Sequence, residues 1–130
     1  MVQLQALIEQ LNNRTIAEMK AMRKPHEDIV DVMRATLILL EGEGVDMGKL
    51  QDWTPIKVML GKTGKLSIKR RILEHSLETV TESVWRLAKS EMKKIEHVDA
   101  ISKKSAGAAV FFAWNTGVLD EIEGEKGFTM

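Results

Sequence analysis

Residues 24–44 read KPHEDIVDVMRATLILLEGEG: a proline, a long apolar helix, and two glycines that close it. Pro25 lacks an N–H and pushes Lys24 away from helical geometry, so a helix arriving from the N-terminal side ends or kinks there. Beyond the proline, Ile29, Met33, Leu37 and Leu40 recur at helical spacing, with Val30, Val32 and Leu39 widening the stripe. Gly42 and Gly44 then stop the helix. With two prolines, no tyrosine and no long β-branched alternation, the whole chain reads as all-α.

On the N-terminal side, Leu4, Ile8 and Leu11 form a heptad-like seam over residues 2–23. Ile16, Met19 and Met22 or Arg23 continue it in a shifted phase, resembling a coiled-coil stutter. On the C-terminal side, 41–52 is a polar loop, and Thr54-Pro55 reads as an N-cap followed by the first helical residue. Ile56, Met59 and Leu60 give the inner face of that short helix before Gly61 stops it. A further helix is predicted near 66–73. Thr79 and Glu82 stand at capping-box spacing before a helix carrying Val84, Leu87 and Met92. The last helix is predicted over about 98–122. Its centre, SAGAAVFFAW (105–114), is apolar on every side and so predicted to be the most buried element, with Ala and Gly allowing close approach.

The 130 residues suffice for one domain, and hydrophobic and charged contents of 44% and 29% are ordinary for a globular chain. Without cysteine, neither a disulfide framework nor a thiolate metal site can form. No apolar run approaches the roughly 20 residues needed to span a bilayer, and no signal-peptide pattern opens the chain. A net charge of zero argues against a wholly basic nucleic-acid binder. No membrane or nucleic-acid partner is therefore expected.

Charge is nevertheless clustered. Lys57, Lys62, Lys65, Lys69, Arg70 and Arg71 fall within 54–73 without an intervening acid, and Lys20, Arg23 and Lys24 form a second group. The stretch GKTGK (61–65) has half of a phosphate-binding P-loop, but the first glycine of that motif would fall at Ile56. A P-loop also follows a strand, whereas Thr54-Pro55 starts a helix. The three histidines, His26, His75 and His97, are separated in sequence without ligand spacing and read as surface residues. Met19, Met33 and Met59 read as core filling. No catalytic residue, metal site or cofactor is predicted.

A heptad helix ending at a proline, a knot of helices and a final helix make the layout of two coiled-coil arms entering and leaving a head. Three segments carry a family resemblance: LNNRTIAEMKAMRKPHEDIVDVMRATLILL (11–40), DWTPIKVMLGK (52–62) and KKSAGAAVFFAW (103–114). Together they resemble the stalk-tip microtubule-binding domain of dynein heavy chains, closer in detail to axonemal than to cytoplasmic dyneins. The resemblance covers the chain to about residue 122. It implies a small helical bundle head at the tip of an antiparallel coiled-coil stalk. The outgoing arm would be 1–24, the head 25–114, and the end of the last head helix with the start of the returning arm 115–130.

That resemblance also implies a function without catalysis, since the family's ATPase ring lies elsewhere in the heavy chain. The head would bind α/β-tubulin in microtubules, in a cytoplasmic, ciliary or flagellar cytoskeleton, with affinity set by stalk register. Carried onto this chain, the tubulin-facing residues are Lys24, His26, Glu27, Val30, Arg34, Glu78, Thr79, Lys103, Lys104 and Thr116. Pro25 is the implied hinge, while Trp53 and Trp114 are expected to be structural. Glu78 and Glu82 stand where relatives often present lysines, and the basic run at 57–71 is displaced from the expected face. The alternative is therefore a helical interaction or adaptor domain. Its face of Lys57, Lys62, Lys65, Lys69, Arg70 and Arg71 would bind an acidic partner or a dynein light chain. Pairing of residues 1–24 with 115–123 as antiparallel arms would favour the dynein head over the adaptor.

Overall fold

The computed structural model describes residue 6 and residues 8–130. Seven α-helices are delimited among them: α1 (Asn13–Lys20), α2 (Glu27–Glu41), α3 (Trp53–Leu60), α4 (Ile68–Glu74), α5 (Glu82–Lys93), α6 (Val98–Lys104) and α7 (Ala106–Lys126). No strand occurs among the described residues, so the chain is all-α.

Helix α2 lies at the centre. It buries Ile29, Val32, Met33, Ala35, Leu37, Ile38 and Leu39, more than one stripe of its surface. Helices α5 and α7 pack on it, and α7 also touches α1 and α6. In α7 the apolar centre is buried as expected, through Gly107, Ala108, Val110, Phe111 and Trp114. A Cβ built on Gly107 would lie 2.6 Å from Met19 Sδ, so this glycine is what lets α1 approach.

Two expected helices are broken, and each break is a side-chain cap. The seam over 2–23 is not one helix: Glu9 and Gln10 form a turn, and α1 starts after Asn12. Asn12 Oδ1 accepts the Thr15 N–H at 3.0 Å, and Thr15 Oγ1 accepts the Asn12 N–H at 3.0 Å, a reciprocal capping box. Ile8, Leu11 and Met19 are buried in the core of this fold. Leu4 of the seam lies outside the described residues. The expected helix over 98–122 is likewise two helices. Ser105 has extended backbone, and its hydroxyl accepts the Ala108 N–H at 3.0 Å to start α7.

Other boundaries shift by a few residues. Asp52, not Thr54, is the N-cap of α3, which places Pro55 within the first turn, where its missing N–H breaks no helical bond. Thr81, not Thr79, caps α5. Its hydroxyl is held by the Glu43 carboxylate, which also accepts from Ser83 Oγ at 2.7 Å and has its pKa lowered by these two hydrogen bonds. Gly42 ends α2 with φ 67°, a conformation that disfavours side chains with a Cβ. Gly127 ends α7 with φ 68°, and Phe128 then turns back against Trp85 at 5.9 Å between ring centroids.

The pairing expected of two stalk arms is not seen among the described residues. Helix α1 packs on α7, near Gly107, and on α3. Residues 115–123 instead meet α5 and α2: Trp85 Nε1 donates to Leu119 O at 3.1 Å, Lys89 pairs with Glu123 at 3.4 Å, and Asn115 reaches α2.

Candidate interaction surface at the start of α2 and α6

The first turn of α2 is tied to that of α6 by one carboxylate. His26, the N-cap of α2, accepts the Asp28 N–H at Nδ1 (3.1 Å). Asp28 Oδ2 accepts the backbone N–H of His97, the N-cap of α6, at 3.0 Å. The two imidazole rings meet edge to face with centroids 6.1 Å apart. Around them opens a cavity of about 580 Å³ whose walls include His26, Glu27, Val30, Arg34, Trp53 and His97.

This cavity is the first of three that adjoin. Glu96 and His97 also line a hollow of about 460 Å³ that ends at Lys103. Val98 of that hollow also lines a third, of about 200 Å³, with Phe112, Leu119 and Thr116. A band of three hollows with shared wall residues therefore extends from α2 across the start of α6 to the side of α7. It brings together His26, Glu27, Val30, Arg34, Lys103 and Thr116. Lys24 and Lys104 are exposed but line none of these hollows. Glu78 and Thr79 are not on the band: they occupy a 3-10 turn before α5, at the opposite end of that helix from Lys94. The twelve residues of α5 separate the two ends by about 18 Å at 1.5 Å per residue.

Arg34 is on the band but is not a free cation. Its Nη1 lies 2.9 Å from Asp31 and 3.3 Å from Glu91, and its Nε donates to Leu50 O at 2.8 Å. Glu91 is itself buried and held by Lys94 through both oxygens at 3.1 Å. Burial raises the pKa of Asp31, the Arg34 charge pulls it down, and Glu91 pushes it up again. The band thus mixes signs: Glu27, Glu96 and Asp99 are exposed on it beside Lys94 and Lys103.

Pro25 sits in the irregular segment between α1 and α2, which is anchored by Trp53 Nε1 donating to Met22 O at 3.0 Å. Trp114 is buried, whereas Trp53 is half-buried and also walls the cavity at the start of α2. The basic run of 57–71 is partly engaged within the chain. Arg70 pairs with Glu74 at 3.0 Å, Arg71 with Glu41 at 2.9 Å and Lys69 with Glu9 at 3.5 Å. Lys62 and Lys65 are exposed, and Lys57 is half-buried. The turn at Gly61 follows helix α3, not a strand, which is not the context of a phosphate loop.

His75, expected at the surface, is packed inside the fold. Its Nε2 lies 3.0 Å from Leu39 O, its ring stands edge to face on Trp114 at 5.4 Å, and its buried Nδ1 has no hydrogen-bond partner among the described residues. Burial lowers its pKa below the ordinary 6.5; the Leu39 hydrogen bond opposes this, and Arg71 adds to it. With the folded pKa depressed, the unfolded chain takes up this proton first as pH falls. The contribution of neutral His75 is thus complete above about 6.5 and is lost as pH falls through the folded value. Thermal melts from about pH 7.5 to 5 should show the wild type losing more stability than His75→Gln in that window; parallel curves would refute the assignment.

Among the described residues no group of three or more His, Asp or Glu side chains is placed to hold a metal ion, and no helix is long and apolar enough to cross a membrane. Sequence reasoning missed Trp85 and Asn115, both buried. Asn115 Nδ2 donates to Val32 O at 2.9 Å, and its Oδ1 lies 2.9 Å from Thr36 Oγ1, pinning α7 to α2. Comparison with protein-family models, with curated proteins and with solved structures gives no match for this chain.

Proposed function

We propose that this chain is a microtubule-binding head of the dynein stalk-tip kind, acting through the band at the start of α2 and α6. The observation that supports it is that His26, Glu27, Val30, Arg34, Lys103 and Thr116 line three hollows with shared wall residues. These positions come from three separate segments of the sequence. Because the band carries acids as well as lysines, attraction to acidic tubulin depends on Lys103, which lines it, and on the exposed Lys104 and Lys24. Such exposed contacts contribute up to about 1 kcal/mol each and weaken with salt. In this reading the protein belongs to a ciliary or flagellar cytoskeleton, and any ATPase ring is elsewhere in a longer heavy chain.

Arg34 belongs to the buried network, so its removal would confuse lost binding with lost folding. The decisive comparison is wild type against Lys103→Glu/Lys104→Glu, co-sedimented with microtubules over a salt series. Saturable pelleting that weakens with salt and falls about tenfold or more in the double variant is expected. Absence of saturable pelleting at low salt, or a double variant that pellets like wild type, would count against the proposal.

A second reading, the helical interaction domain with a basic face for an acidic partner, draws support from one observation. Helix α1 packs near Gly107 and residues 115–123 pack on α5, so no antiparallel arms form among the described residues. An adaptor has no need of such arms.

A further inference from the structure

The cavity between α1 and the 61–69 segment differs from the band in charge. It measures about 590 Å³, and its walls include Lys20, Lys62 and Lys69 with no acidic side chain. The three lysines converge from separate places: the last turn of α1, the turn after α3 and the first turn of α4. Lys20 extends over the turn at Gly61, where an added Cβ would lie 3.6 Å from its Cε and Nζ. Lys20 and Lys62 form no ion pair among the described residues. Lys69 faces only Glu9 at 3.5 Å, an exposed carboxylate of the kind that holds weakly. The lining also includes half-buried Ile16 and buried Leu11, Leu60 and Ile68, an apolar patch beside the lysines.

We infer that this groove docks an extended acidic peptide segment of a partner protein, with carboxylates on either side of an apolar residue. The carboxylates meet the lysines, and the apolar residue covers the apolar patch. The volume falls within the roughly 300–1,000 Å³ of sites that enclose small ligands, enough for a few side chains. A long polyanion fits less well, because the chain is neutral overall and acidic over 41–52 and 120–125. This inference sharpens the second reading and rests on it, not on microtubule binding. Lys57, Lys65, Arg70 and Arg71 drop out of the face, because none of them lines the groove, and Lys20, on a different segment, joins it.

The test is fluorescence anisotropy of the full chain with two labelled ten-residue peptides of equal charge, one alternating glutamate with leucine, the other glutamate with glycine. The glutamate–leucine peptide should bind saturably and the glutamate–glycine peptide about tenfold more weakly. Lys20→Gln/Lys62→Gln/Lys69→Gln should weaken the former about tenfold or more, while Lys57→Gln/Lys65→Gln, outside the groove, should leave it unchanged. Helical circular dichroism of each variant verifies folding. If both peptides bind alike, or the outer pair matters as much as the groove lysines, the groove is overturned while a diffuse basic face survives. If neither peptide binds, the groove and the second reading fall together.

Discussion

Replacing Arg34 by alanine is expected to destabilise the folded chain by about 3–5 kcal/mol, as when one partner of a buried ion pair is removed. The side chain is 13% exposed, and its partners Asp31 and Glu91 are 11% and 6% exposed. Truncation leaves two carboxylates facing each other with only Lys94, itself 55% exposed, as a nearby cation. It also removes the donor to Leu50 O, which ties the 49–51 turn to α2. The loss should depend on pH with a definite sign. Burial already raises the Asp31 pKa against the pull of Arg34, so the variant raises it further. A carboxyl whose folded pKa lies above its unfolded value binds more protons when folded, so stability is regained as pH falls through the folded value. Urea denaturation at about pH 7 and about pH 5 should therefore show a smaller gap between variant and wild type at the lower pH. A loss under about 1 kcal/mol, or an equal gap at both pH values, would mean that the network is not the structural element described here.

The difference between what the sequence revealed and what it concealed has a consistent physical basis. Helix α2 was legible from its long apolar periodicity, and the centre of α7 from being apolar on every side. The breaks at Asn12 and Ser105 were not, although each carries a local signal. Asn12 precedes Thr15 by the three residues of a capping box, and Ser105 opens the run of small residues. Spacing alone could not expose the first break, because Ile8 and Leu11 remain buried whether a helix or a turn joins them. Arg34 looked like a surface charge because Glu91, its second acid, is 57 residues away. Asn115 was missed for the same reason, since its partner Thr36 is 79 residues distant. The band shows the same division: resemblance nominated its residues one by one, and only the packing of α6 against α2 made His26 and Lys103 neighbours of one surface.

The second large effect is expected at Trp85, where Trp85→Ala should cost about 3–5 kcal/mol and Trp85→Phe about 1–2 kcal/mol. The indole is 1% exposed, among the largest fully buried side chains, and lies on the α5 face that also buries Val84 and Ala88. Alanine leaves a cavity between α5 and α7 that the surrounding helices fill only partly. It also strips the partner from Phe128, whose ring centroid is 5.9 Å away, and from the Lys89 ammonium, 5.2 Å from the ring centroid. Phenylalanine keeps most of the volume and loses chiefly the Nε1 donation to Leu119 O. That carbonyl lies inside α7, where the helix ladder supplies another donor, so its loss is the smaller term. A chain of this size has roughly 5–15 kcal/mol of stability in all, so the alanine variant should approach the unfolding threshold while the phenylalanine variant stays cooperative. Guanidinium denaturation of both proteins separates the terms. Equal losses in the two would make the hydrogen bond dominant over packing, and a loss under about 1.5 kcal/mol for alanine would show that the core closes around the gap.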